Sequence, residues 1–302
     1  MPTQDRSEPP WREIALLWAA RRCGALDALS TTAGTPEAVA DATDIDPEAA
    51  ERLVAALQSQ GFLARVDGEY EPTNRLLGFL TKTDLRSIGR LPAELDAFER
   101  WVALPETLGG EAPPKPSDAL RNELGKEAAT DETRLRSEVT TAVHAAPDGD
   151  SVVVVGDGAG RRAVEFARRG WSVTLLDSEA RIDAAEPLLR RESVDLRRGD
   201  GTEIPPCDLV VGVKTLSRRD GDSAANHVAA AAAAAPAAVF FDTFGGETPG
   251  AALVDIDRLA AGAGRVHDLE TARPWLGEAF DEVSVEAVPS SHHSALVGRS
   301  IQ

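Results

Sequence analysis

Three glycines on alternate positions, Gly156, Gly158 and Gly160, follow an apolar run in "VVVVGDGAGRRAVEFARRGWSVTLLD". Where side chains are missing, a ligand can lie close against the backbone. A dinucleotide turn would read GxGxxG/A, its last small residue letting the helix pack on the strand, and here that position is Arg161. Asp157 lies inside the loop, where a carboxylate would repel a pyrophosphate and welcome an ammonium or sulfonium. This favours S-adenosylmethionine over NAD and leaves both open. Asp177 closes the second apolar run, where it can accept from both ribose hydroxyls, cap the following helix, or do both. Asp200, between Gly199 and Gly201, either accepts from an adenine amino group or shapes a turn.

These residues need an open sheet to bring them together. After Asp150 the pattern predicts strands at 151–155, 172–176, 194–197, 208–213, 238–242 and 282–288. Helices fall between most of them, including the alanine run His227 to Pro236. Such a rhythm implies a mostly parallel sheet covered on both faces, with ligands beyond the carboxyl ends of its strands. Upstream, "WREIALLWAARRCGALDAL" has helical spacing, with Ile14, Leu17, Trp18 and Leu26 on its apolar side. Two more helices are capped by Thr35 and Asp46, each with proline next, and a hairpin turns at Asp67-Gly68. Three helices and a hairpin over residues 1–80 make a winged helix-turn-helix. Its third helix offers Glu48, Glu51 and only Arg52, so packing or dimerisation is expected there rather than DNA binding.

Residues 81–145 read as a helical linker that also lines a pocket for a small molecule. It holds a loop at Gly109 to Asp118 between the helices "DAFERWVALPETL" and "DETRLRSEVTTAVHAA". Phe98 and Trp101 are expected in the core, and with Trp275 they are the aromatics available to a bound small molecule. Residues 146–302 form the cofactor-binding domain.

The balance of 50 Asp+Glu against 32 Lys+Arg, net charge -18, argues against a nucleic-acid partner. With lysine only at 82, 115, 126 and 214, it suits a cytoplasm of concentrated salt, where screening relieves self-repulsion. No apolar run is long enough to span a bilayer and the first residues lack a signal-peptide layout, so a cytoplasmic protein with no membrane partner is expected. Cys23 and Cys207 are too few for a metal site or disulfide framework and are expected to be small buried apolar residues.

The order of these motifs resembles the class I S-adenosylmethionine-dependent methyltransferases. More narrowly it resembles the small-molecule O-methyltransferases whose N-terminal winged helix mediates dimerisation. The stretches that carry the resemblance are "CGALDAL", "TPEAVADATDIDPEAAERLVAALQSQGFLARVDGEYEPT", "VVVVGDGAG", "VTLLD", "RRGD", "CDLVVGVKTL" and "WLGEAFDEVSVEAVPSSHHSALVGRS". It implies an α/β fold, a Rossmann-like methyltransferase sheet with helices on both faces behind an α-helical winged-helix domain. It also implies a homodimer that methylates a small molecule, with S-adenosylmethionine as cofactor. Gly156, Gly158 and Gly160 would cradle its methionine part, Asp177 its ribose and Asp200 its adenine, and Lys214 matches a family lysine near the cofactor.

Two positions depart from the pattern. Val154 replaces a common acidic residue before the turn. Ser217, in "LSRRDGD", stands where the family carries the histidine that takes the acceptor's proton, and serine has no base of its own. The other histidines, His144, His227, His267, His292 and His293, have no spacing that implies a dyad and are expected at the surface or in packing. An acceptor already ionised, or a nitrogen or sulfur nucleophile, could still react through proximity and orientation. The same substitution keeps a second expectation alive, a sensor or scaffold that binds the cofactor without catalysis. A winged-helix NAD-binding redox repressor is opposed by Arg161 and by the acidic third helix.

Overall fold

The computed structural model describes residues 10–80 and 85–301; the opening nine residues and Lys82, just past the expected boundary at 80, lie outside them. The chain divides into two units, Met1–Val102 and Ala103–Gln302.

In the first unit come α1 (Pro10–Arg22), α2 (Ala25–Thr31), α3 (Pro36–Ala42) and α4 (Pro47–Ser59), then the hairpin strands β1 (Leu63–Val66) and β2 (Glu69–Pro72). It closes with α5 (Asn74–Leu80), α6 (Leu85–Ile88) and α7 (Leu91–Val102). Thr35 starts α3 by accepting the Ala38 N–H at 3.2 Å, and Asp46 starts α4 by accepting from Glu48 and Ala49 at 3.0 and 3.2 Å. The hairpin turns where Asp67 and Gly68 both take positive φ. Leu17, Leu26, Val54, Leu57 and Phe62 form the core. Phe98 packs edge-on against Trp18 at 5.9 Å, as a core residue should. Trp101 does not follow it, remaining 39% exposed, and Cys23 is exposed rather than buried.

"DAFERWVALPETL" is not one helix. α7 stops at Val102 and α8 (Leu104–Leu108) begins a residue later, at the boundary of the units. In a continuous helix the Pro105 ring would strike the carbonyl four residues back. After the loop come α9 (Ala119–Ala128) and α10 (Glu132–Ala145), and then the expected alternation. Its first half is β3 (Ser151–Val155), α11 (Arg161–Arg168), β4 (Ser172–Asp177), α12 (Glu179–Leu189) and β5 (Asp195–Arg198). The second half is β6 (Leu209–Val213), α13 (Gly221–Ala234), β7 (Ala237–Asp242), β8 (Phe244–Gly245), α14 (Ala251–Ala261), β9 (His267–Asp268) and α15 (Leu269–Gly277). The hairpin β10 (Glu282–Ala287) and β11 (Ser294–Arg299) ends the unit.

A seven-stranded sheet runs β10-β11-β7-β6-β3-β4-β5. The five strands from β7 to β5 are parallel, and β11, reversed against β10 by their short hairpin, lies antiparallel to β7 as well. Alternate residues of β3 feed two cores. Val152 and Val154 meet Val139, Phe166 and Ile182, while Val153 and Val155 meet Val228 and Leu276. Sheet order puts the ends of β3, β4 and β6 side by side, so the glycine turn, Asp177 and the loop after Val213 share one edge.

Candidate active site

The turn between β3 and α11 is built on backbone freedom. Gly156, Gly158 and Gly160 have φ of 75°, 57° and 71°, a region costly to other residues. A side chain on Gly156 would meet the Val213 carbonyl at 3.0 Å. Gly160 is where α11 packs closely: a Cβ there would lie 2.7 Å from Leu189 of α12. The packing role expected one residue later therefore falls on a glycine after all. Arg161 instead reaches the Ala128 carbonyl at 2.9 Å and pairs with Glu132.

Asp157 does not face a ligand. Its Oδ2 accepts the N–H groups of Arg162 and Ala163 at 2.7 and 3.1 Å, and its Oδ1 takes Arg162 Nη1 at 2.7 Å. It is 2% exposed, so the carboxylate that was to welcome a sulfonium is spent on starting α11. Arg162 also holds Glu138, which accepts from Arg134 and Ser291. Burial opposes the Arg162 charge, but Asp157 and Glu138 outweigh it and hold the guanidinium above its ordinary value.

Asp177 stands at the end of β4 with both oxygens engaged. Oδ2 accepts from Gly158 N and Arg181 Nε, each at 3.2 Å, and Oδ1 from Ser178 N at 2.8 Å. It faces the glycine turn, but it does not cap α12, whose N-cap is Ser178. Asp200 is exposed and closes a turn on Thr202, accepting its N–H at 2.9 Å and its hydroxyl at 2.6 Å. Gly156, Asp177, Gly199, Asp200, Thr215 and Arg218 line one cavity of about 280 Å³. This is close to the lower end for a small-molecule site.

α9 brings residues that the sequence reading missed. Glu123 and Glu127, one turn apart on one face, meet Arg181 at 3.1 and 2.8 Å and Arg218 at 2.6 and 3.3 Å. Lys214 Nζ reaches Glu127 at 3.3 Å from a strained backbone, φ 53°. Burial pushes Lys214 down to about 8 despite Glu127. A Cβ on Gly158 would lie 1.7 Å from Glu127 Oε2 and 2.6 Å from Arg181, so a carboxylate stands directly over the glycine turn. The spacing "ELGKE" was the available signal, but no helix was assigned there to give it a face.

The loop after β6 holds no histidine. Ser217 is 1% exposed; its N–H and that of Leu216 go to Asp242 Oδ2 at 2.9 and 3.0 Å, and its Oγ accepts from Arg258 at 3.1 Å. His267 donates from Nε2 to the Arg219 carbonyl at 3.0 Å and packs on Trp275. His227 donates from Nδ1 to the Gly201 carbonyl at 2.8 Å, and burial pushes it down to about 4. His293 is held between Arg134 and Glu138, and His144 and His292 are exposed. Cys207 is half-buried, its thiol donating to the Leu209 carbonyl at 3.2 Å and pushed up to about 11 by burial. Among the described residues no cluster could hold a metal ion, and no helix is long and apolar enough to cross a membrane.

No family model and no curated protein matches the chain. Solved structures do. PigF with SAH aligns over 96% of both chains at 16% identity and TM-score 0.71. The mitomycin 7-O-methyltransferase MmcR aligns over 96% of this chain and 94% of its own, at 18% identity and TM-score 0.69. Human N-acetylserotonin methyltransferase in complex with SAM covers 100% of both chains at 16% identity and TM-score 0.65. What this chain shares with them, end to end, is the fold of the class I S-adenosylmethionine-dependent methyltransferases.

Proposed function

We propose that the protein transfers a methyl group from S-adenosylmethionine to an oxygen of a small molecule. The observation that carries this reading is the glycine turn opposite Asp177, set in one cavity with Asp200 on a methyltransferase sheet. When bound, the cofactor supplies an electrophilic methyl on a sulfonium. Gly156 gives its methionine part a bare backbone to lie on, while Gly158 lets Glu127 approach and Gly160 lets α11 pack on Leu189. Asp177 holds the ribose through lone pairs left after its three N–H bonds, and the free oxygen of Asp200 accepts from the adenine. Glu127 takes the place of the acidic residue missing at Val154, since its carboxylate over Gly158 suits an ammonium while Lys214 and Arg218 suit a carboxylate. The first unit forms a homodimer, a reading supported by its exposed Trp11, Val66, Trp101 and Val102.

Ser217 favours a second reading, a sensor or scaffold that binds the cofactor and transfers nothing. Calorimetric titration of S-adenosylmethionine, S-adenosylhomocysteine and NADH in molar KCl tests the first part. Binding of the first two is expected, and NADH binding alone sinks the proposal. Tritiated donor with a cell-extract acceptor pool then separates enzyme from sensor. A monomeric mass by light scattering in the same salt sinks the dimer.

A further inference from the structure

We infer that the acceptor is bound as an anion, its nucleophilic oxygen already ionised, by the cationic wall of Arg218 and Arg258 beside Ser217. The inference rests on the methyl-transfer reading.

A neutral hydroxyl acceptor needs a group to take its proton, and beside Ser217 neither a histidine nor Asp242 is free to do so. His267 and His227 are tied to carbonyls, His227 at no exposure. Asp242 is 1% exposed and spent on the N–H groups of Leu216, Ser217 and Thr243. Cations stand there instead. Arg218 lines the cavity from the β6–α13 loop, and Arg258 comes from α14 to donate to Ser217 Oγ. Among the described residues Arg258 has no ion pair, and its buried Nε has no hydrogen-bond partner. A guanidinium with an unspent N–H is a site for an anion, since an anion would satisfy the orphaned donor, and Arg218, next to Ser217 in the chain, adds the charge that its pairs with Glu123 and Glu127 leave over. Burial and the Arg218 charge both press Arg258 below its ordinary value, against Asp242, Glu123 and Asp257.

Such a wall makes a base unnecessary. Arginines lower the pKa of an acidic hydroxyl beside them, so a carboxylate, an enolate or an acidic phenol arrives with its proton gone. An O–C bond forms to the methyl, the C–S bond breaks with its electron pair returning to sulfur, and no proton is released. A protonated amine would be repelled by the same two charges.

The test uses 4-nitrophenol, whose phenolate absorbs visibly, added to the full-length protein saturated with S-adenosylhomocysteine in molar KCl. Bound nitrophenol is expected to ionise at least about one pH unit below free nitrophenol, equivalent to about tenfold tighter binding of the phenolate than of the phenol. In Arg258→Met that shift disappears while S-adenosylhomocysteine affinity stays within about twofold, a change worth under about 0.4 kcal/mol. The wild-type titration stands even where the variant fails to fold. An unshifted or raised ionisation, no nitrophenol binding, or tighter binding of benzylamine overturns the proposal. If S-adenosylhomocysteine itself does not bind, the methyl-transfer reading has failed first, and the two failures are told apart.

Discussion

Two strand-to-helix crossings sit on the same edge of the sheet and are built in opposite ways. The β3–α11 turn takes its shape first from its backbone, three glycines at positive φ, which Asp157 and Asp177 then hold by accepting N–H groups from it. The β6–α13 loop takes its shape from side chains: Asp242 gathers two of its N–H groups and Arg258 holds the Ser217 hydroxyl. A surface made of backbone suits a ligand shared by many proteins, because no side chain there needs to change with the acceptor. Side chains set from three different elements suit a ligand particular to one protein.

The largest effect is expected where the backbone turn is broken. Gly156→Val forces a β-branched residue into positive φ and against the Val213 carbonyl at 3.0 Å, so titration should show S-adenosylhomocysteine affinity falling by about a hundredfold or more. Unchanged affinity would mean the ligand does not lie on this turn. Next comes Glu127→Gln, which leaves Arg181, Lys214 and Arg218 facing a neutral amide. Breaking a buried network of this kind costs about 3 kcal/mol, read as a loss in urea unfolding, and cofactor affinity should fall about tenfold with it. Lost stability with unaltered affinity would leave Glu127 a structural partner only.

The two crossings also differ in how far they could be read in advance. Glycine spacing speaks for itself, because only positive φ and close approach call for it; the turn, Asp177 and the six expected strands all fall where the pattern puts them. Asp157 shows the limit. Its place in the loop was legible, but its direction was not, and Arg162 and the start of α11 claim it. Glu123, Glu127, Arg181 and Arg218 come from three stretches of chain, and nothing local signals that they meet. Arg258 is harder still, an arginine on a helix after the strand that the loop precedes, recognisable only once α14 is folded against Ser217.

Glu123 joins the two regions through Arg181 and Arg218, and its titration gives the smallest effect. Burial opposes its charge, yet Arg218, Arg181 and Lys214 outweigh that and hold it at about 2 against an ordinary 4.5. Above pH 4.5 it is ionised in folded and unfolded chains alike, and its stabilising contribution is complete. As pH falls from 4.5 toward 2 the unfolded chain binds the proton first, so that contribution is lost across this window. Its side chain is 43% exposed and molar salt screens it, which leaves about 1 kcal/mol or less. Urea unfolding should therefore show Glu123→Gln less stable than the native chain by a constant amount of about 1 kcal/mol or less above pH 5, with a shallower acid limb so that the two converge as pH falls toward 3. The same variant releases Arg218 from its closest carboxylate, at 2.6 Å, and should tighten 4-nitrophenolate binding about two- to fivefold. A variant that flattens the acid limb yet weakens the anion would place Glu123 with the backbone turn, and Arg218 outside the acceptor wall.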